Sequence, residues 1–308
     1  MRKVILINVA AALVILPLVG FGQEVNANFF STREDSLSKL LSLIVSETST
    51  TRRDSLNRIF HENFKNTLEH DGAIDYPFSS LKHVGMLTSS DQKVRIITWN
   101  IPQTGGYHRY FGFVLVRLDG DKSRLYALTD SREMVKDPQH ERLPADRWLG
   151  ALYYQLAELP YGSEKQYVLL GFDYNNLFTS KKVIEVLTLS PQGEPVFGLP
   201  VFNVDNKQLL SRIVFEFSAR AGFNLKYYDE QKIIAFDHLS PSQPEFTGDF
   251  QFYGPDASID GFAFENGKWV YVRDLDMRNP SREKVNPVDA PEKIDEPPFL
   301  YKPQQKRK

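Results

Sequence analysis

Phe262-Ala263-Phe264-Glu265-Asn266-Gly267-Lys268-Trp269-Val270-Tyr271-Val272 sets an Asn-Gly pair between two runs of aromatic and β-branched residues. The tight hairpin turn whose twist matches its strands needs positive φ at both central positions, which Asn and Gly tolerate best. The stretch predicts antiparallel strands over 262–264 and 268–274. The same pattern continues upstream. Residues 94–101 and 110–118 read as strands joined by Gln103-Thr104-Gly105-Gly106, and Asp119-Gly120-Asp121 turns the chain into a third at 124–129. A charged, proline-containing loop is expected at 131–146, then a strand at 148–156, where apolar residues alternate. Further strands are expected at 167–172, 183–189, 195–202, 212–219, 224–228 and 232–237. Hairpins at this spacing build a barrel, a sandwich or propeller-like sheets.

Ahead of Asp71-Gly72 the periodicity is helical. Ser31-Thr32-Arg33-Glu34 has the spacing of a capping box, and Leu37, Leu40, Leu41, Ile44 and Val45 follow at three- and four-residue intervals. A second helix starts near Thr51, with Leu56, Ile59, Phe60, Phe64 and Leu68 on its apolar face. The two form a hairpin turning at 47–51. The expected class is mainly β with an N-terminal helical hairpin, an α+β protein.

The chain opens with Arg2 and Lys3, an apolar run over 4–19, and Gly20-Phe21-Gly22. That is the layout of a cleavable secretory signal. The expected organisation is a signal over 1–22, a helical segment over 23–71, an antiparallel β domain over 72–278, and a tail over 279–308 rich in proline and charge. The tail has too little apolar surface to offset the entropy of ordering. No stretch after the signal is long and apolar enough to span a bilayer as a helix. The chain has no cysteine, which excludes disulfides, thiol catalysis, Cys-ligated metals and lipoprotein-type attachment. The expected location is the periplasm or the outer-membrane surface. Removing Arg2 and Lys3 leaves 35 of the 37 basic residues against 39 acidic ones, a net charge near −4. A nucleic-acid partner wants a basic stripe, and none is present.

Three stretches are dense in polar groups. Around the Gly-Gly turn stand Trp99, Tyr107, His108 and Tyr110, which suit either a ligand cleft or a plain turn. Asp173, Asn175 and Asn176 are oxygen donors of the kind that hold calcium, but they miss the spacing of a calcium loop and also favour turns through their own side chains. Asp237, His238, Tyr253, Asp256 and Asp260 make the third group. His beside several carboxylates is material for acid–base or metal chemistry. Adjacent strand residues point to opposite faces, so Asp237, His238 and Ser240 are not expected to converge as a triad. Neither a metal motif nor a cofactor motif is evident.

The runs Ile234-Ala235-Phe236-Asp237-His238-Leu239-Ser240-Pro241, Phe252-Tyr253-Gly254-Pro255-Asp256, Gly267-Lys268-Trp269 and Leu170-Gly171-Phe172-Asp173-Tyr174-Asn175-Asn176 carry a resemblance. The chain resembles a family of secreted proteins from Bacteroidota-type bacteria that has no established activity. The Phe21-Gly22-Gln23 end of the signal is similar to exported proteins of that group. The resemblance implies an envelope setting in a diderm cell and no catalytic residues. The leading expectation is a non-catalytic envelope protein with a structural, scaffolding or partner-binding role, its partner an envelope or outer-membrane protein. Two alternatives stand beside it. One is a glycan- or metal-dependent hydrolase using Asp237, His238, Asp256 and Asp260, which requires them in one cleft. The other is a glycan-binding module stacking sugars on Trp99, Tyr107, Tyr110 and Tyr174, which requires exposed rings.

Overall fold

Helix α1 runs from Gly20 to Ser46 and α2 from Thr50 to Leu68 in a computed structural model that describes residues 20–276, except 163 and 206. The expected signal up to residue 19 and the expected tail at 279–308 lie outside the described residues. The helical hairpin turns where the periodicity places it. Ser49 caps α2, its side chain accepting from the Arg52 N–H, which satisfies one of the orphan donors of a helix start. The capping box at Ser31 is corrected: α1 is already helical from Gly20. Glu34 serves tertiary structure instead. Its buried carboxylate accepts from Tyr76 Oη at 2.8 Å and from Ser80 N at 2.5 Å, tying the chain after the hairpin to α1. Val45 and Ile59 prove exposed, off the buried face.

Among the described residues sixteen strands follow: β1 Gly85–Thr88, β2 Val94–Pro102, β3 His108–Arg117, β4 Ser123–Thr129, β5 Leu143–Pro144, β6 Leu152–Tyr161, β7 Glu164–Asp173, β8 Thr179–Leu189, β9 Pro195–Phe197, β10 Phe202–Asn203, β11 Leu209–Leu210, β12 Arg212–Ser218, β13 Leu225–Tyr228, β14 Ile233–Pro241, β15 Tyr253–Glu265 and β16 Lys268–Val272. They form three sheets. The first has the order β1-β2-β3-β4. The second has β5-β9-β8-β7-β6, and β12 also pairs with β8, over Thr179–Glu185. The third has β11-β10-β16-β15-β14-β13. All pairs are antiparallel except β10 with β16.

The elements stack in four layers with three cores between them. The helices cover one face of the first sheet through Phe60, Phe64, Ile97, Trp99 and Phe113. Its other face packs on the second sheet through Val94, Val114, Tyr167 and Leu169. The second sheet's far face packs on the third through Val168, Leu170, Phe215, Phe236 and Phe262. Strand β7 shows the logic in four residues: Tyr167 and Leu169 face one way, Val168 and Leu170 the other, as a period of two requires. A sheet buried on both faces reads as a continuous apolar run rather than an alternating one, and β2 is buried over nearly its whole length.

The Asn266-Gly267 turn has φ of 49° and 80°, the two positive values its sequence predicts. Two expected strands are corrected. The strand at 148–156 begins only at Leu152, because Gly150 adopts φ 82° and a 3-10 turn at Ala145–Arg147 precedes it. The strand at 195–202 breaks in two at Gly198, φ 87°, where a Cβ would lie 2.9 Å from the Glu141 carbonyl. Among the described residues, no helix is long and apolar enough to cross a membrane.

Between the first and second sheets lies a fully buried ion pair. Glu185 of β8 and Arg212 of β12 face each other in register, and neither side chain is exposed. Arg212 Nε donates to one Glu185 oxygen, and Tyr153 Oη donates to the other. Trp148 Nε1 donates to Tyr153 Oη at 2.8 Å. Arg212 Nη1 donates to the carbonyls of Pro138 and Glu141, which fastens the 131–148 loop to the sheet. Two charges removed from water are tolerable only with such partners, and removing one strands the other. Arg212→Met is therefore expected to cost about 3–5 kcal/mol in urea unfolding, and Glu185→Leu added to it to recover most of that. A single variant as stable as the parent contradicts this account.

Candidate functional site

Anchoring the 131–148 loop places Arg132 at the centre of a second network, this one at the surface. Arg132 donates to Asp130 through Nε at 3.1 Å and Nη2 at 2.6 Å, to Asp173 Oδ1 through Nη1 at 3.0 Å, and to the His108 carbonyl at 2.5 Å. Its guanidinium lies 4.4 Å from the centre of the Tyr110 ring, a cation–π contact. Tyr110 Oη donates to Asp173 Oδ1 at 2.8 Å and accepts from Tyr174 N at 2.8 Å. One arginine thus joins the end of β4, the start of β3 and the end of β7. Burial works against its charge, but the Asp130 and Asp173 carboxylates outweigh that and hold its pKa above the ordinary value. Burial likewise pushes the Tyr110 phenol far up, and Asp173 adds to it.

The loop after β7 is built by turn chemistry. Asn175, at φ 52°, donates its N–H to Asp173 Oδ1 at 2.8 Å, and Asn176 Oδ1 accepts from Phe178 N and Thr179 N at 2.8 and 3.0 Å. This is the Asx-turn reading of the stretch. Asn175 Nδ2 and Thr179 Oγ1 converge on Glu216 Oε1 at 3.2 and 2.7 Å, and Lys181 lies 3.6 Å from Oε2. The loop leans on the β2–β3 turn. Gly106, at φ 75°, leaves no room for a Cβ, which would sit 2.5 Å from Leu177.

These loops and α2 enclose an open groove of about 1330 Å³. Asp54, Arg58 and His61 line it from α2, Tyr107 to Phe111 from β3 and the turn before it, and residues 128–134 from the opposite side. A smaller recess of about 90 Å³ opens behind Arg132 and Lys181, lined by Val135, Leu149, Val183 and Val214. Most charged groups in the groove are already paired, including Arg109 with Asp54 at 3.5 Å. The lip is apolar. Tyr107 is 58% exposed and Leu177 66%, with Met134, Tyr174 and Phe178 also exposed. Tyr174 stacks on His108 with centroids 4.2 Å apart. Burial lowers the His108 pKa and, on α2, that of His61, so both rings favour the neutral form.

The expected ligand residues divide. Tyr107, His108 and Asn175 line the groove, Asp173 lines the recess behind Arg132, and Asn176 lines neither. Trp99, Tyr110 and Tyr253 are corrected as contact surfaces, because all three are buried. Trp99 donates to Asn57 Oδ1 at 2.9 Å inside the helix–sheet core, and Tyr253 Oη accepts from Gly248 N at 2.9 Å. The four-ring sugar platform therefore loses Trp99 and Tyr110. Sequence reading missed Asp130 and Arg132, which stand at the start of a stretch expected only as a charged loop, and Asp54, Arg58 and His61 of α2, which lie outside its apolar stripe.

The Asp/His group converges in part. His238 Nδ1 lies 2.7 Å from Asp260 Oδ2, and Nε2 lies 3.8 Å from Asp256 Oδ2. Asp260 is wholly buried and also accepts from Tyr271 Oη at 2.6 Å and Asp274 N at 3.1 Å. Asp237 turns away and accepts from Asn224 N and Nδ2 at 2.7 and 2.9 Å. These residues line neither cavity just described. Among the described residues no three His, Asp or Glu are placed to hold a metal ion.

No protein-family model, curated protein or solved structure matches this chain.

Arg132→Ala leaves the Asp173 carboxylate short of a partner and unties three elements. Amide hydrogen exchange at 131–135 and 174–179 is expected to rise by at least about tenfold while the central sheet stays protected. Unchanged exchange in both segments contradicts the role given to Arg132.

Proposed function

We propose that this protein is an exported, non-catalytic component of the cell envelope that binds an envelope or outer-membrane protein partner in the groove beside α2. The observation that carries the reading is the contrast between floor and lip. The floor's charges are locked in mutual pairs around Arg132, which suits a rigid platform. At the lip, Tyr107 and Met134 line the groove, Leu177 lies against Gly106 beside it, and Tyr174 stacks on His108, all of them large and exposed. Contiguous exposed apolar groups rimmed by polar ones mark interaction surfaces, and aromatic anchors dominate protein interfaces. The signal pattern at 2–22 supports the envelope setting.

A glycan ligand is the second reading. Tyr107 and Tyr174 remain exposed, and the Tyr174 ring is held in place by His108. The two readings part on the nature of the bound molecule.

A photo-crosslinking amino acid at Tyr107, compared in cells with one at the exposed Phe252 on the third-sheet side, tests the proposal. The expected result is a discrete protein adduct from position 107 and none from 252, lost when Leu177→Asp and Phe178→Asp are added. Equal labelling at both positions, or no protein adduct at 107 together with glycan retention by the purified chain, overturns the protein-partner reading. Recovery of a mature form that still carries the 2–19 segment overturns the cleaved-signal reading.

A further inference from the structure

Strand β15 carries a bulge opposite His238. Its register with β14 runs Asp237↔Ile259 and then Leu239↔Pro255, so one residue of β14 faces three of β15: Asp256, Ala257 and Ser258. Ala257 sits at φ 73°, a left-handed conformation that costs an L-residue free energy and persists only where neighbours impose it. Two contacts impose it here. Asp256 Oδ1 accepts from Ser258 N at 3.1 Å and Ser258 Oγ at 2.7 Å, closing the bulge on itself. The other Asp256 oxygen faces His238 Nε2, tying the bulge to β14. Asp256 and Ala257 are exposed, whereas the His238 ring is only 12% exposed.

We propose that His238, set between Asp260 and Asp256, is a proton-operated clamp that holds the Asp256–Ser258 bulge against β14 when charged and releases it when neutral. The chemistry follows from imidazole. The charged ring donates from Nδ1 to Asp260 at 2.7 Å and turns its Nε2–H toward Asp256 as an ion pair at 3.8 Å. The neutral ring keeps one proton. Asp260 is wholly buried and cannot be left short of a donor, so that proton stays on Nδ1. Nε2 then turns a bare lone pair toward the Asp256 carboxylate. The attraction becomes a repulsion, and the strained bulge loses its outer tie.

The groups that face His238 are Asp260 and Asp256 of β15, Tyr271 of β16, and Arg273 and Asp274 just beyond it. The hydrogen bond to Asp260 raises the His238 pKa above its ordinary value despite burial, Asp256 adds to this, and Arg273 opposes it. Burial would raise the Asp260 pKa, but donors from His238, Tyr271 and Asp274 N outweigh it and lower it. The raised His238 pKa gives stability that is complete below the unfolded-state value and lost as pH rises through the folded one. The lowered Asp260 pKa gives stability lost only as pH falls through its own folded value. The clamp is therefore closed in the acid-to-neutral window and opens on the alkaline side. Asp274 N and Leu275 N bond to Asp260 and to the Ile259 carbonyl. Both bonds survive the loss of the His238 proton, so these amides serve as an internal control.

NMR titration of the His238 ring, with amide exchange followed across the same pH range, tests this in the intact mature chain. The expected midpoint lies above about 6.5, the ordinary value for histidine. Exchange at Ala257 and Ser258, corrected for its intrinsic pH dependence, rises with that midpoint, while Asp274 and Leu275 do not follow. In His238→Gln the inflection disappears. A midpoint at or below the ordinary value, bulge amides indifferent to it, or the same inflection in the variant overturns the clamp. If the variant does not fold, the two readings on the parent protein decide alone.

Discussion

Arg212 and Glu185 meet where no water reaches, between two sheets that are each buried on both faces. Their partners are not interchangeable. Tyr153 and Trp148 complete the carboxylate side, and the carbonyls of Pro138 and Glu141 complete the guanidinium side. Because the arginine needs those carbonyls, the 131–148 loop must lie where it does. Because the loop lies there, Arg132 reaches Asp130 and Asp173 and sets the groove floor. A buried pair of this kind adds little net stability over apolar residues of the same shape. Its consequence here is positional: it makes one arrangement of a long loop far better than the others.

The layered architecture explains what sequence pattern could and could not reveal. The Val94–Thr129 meander and the Asn266-Gly267 hairpin were legible because turn residues with defined φ preferences sit between apolar runs. The α1–α2 hairpin was legible from the Leu37, Leu41 and Ile44 spacing. The sheet partition was not. A strand covered on both faces shows a continuous apolar run, so nothing in β7 says which face meets which sheet. Gly150 and Gly198 broke expected strands because each must accept a close neighbour, Asp130 Oδ1 at 2.8 Å and the Glu141 carbonyl at 2.9 Å from a hypothetical Cβ. Such neighbours are distant or unremarkable in the chain.

The site was legible in halves. Tyr107, His108, Asp173 and Asn175 could be picked out because polar and aromatic residues crowd around turns. Trp99 and Tyr110 were drawn into the same group by proximity in sequence. Yet the pleat sends Trp99 into the helix–sheet core and Tyr110 into the core beneath it. Arg132 escaped notice because, beyond the neighbouring Asp130, its partners lie 41 residues away in Asp173 and across β3 in Tyr110, and no local spacing encodes such a meeting. His238, Asp256 and Asp260 converge although they lie on two strands, because the bulge at 256–258 shifts the register by two residues. That shift turns carboxylates that a regular ladder would separate toward one imidazole.

In the proposed reading, the locked floor and apolar lip of the groove form one preformed surface. Amide hydrogen exchange of the mature protein, alone and saturated with the partner captured at Tyr107, is the most direct measurement of that claim. Protection confined to Thr50–His61, 104–111, 130–134 and 174–178 is the predicted footprint. Protection on the outer face of the third sheet, with those four segments unchanged, would contradict it.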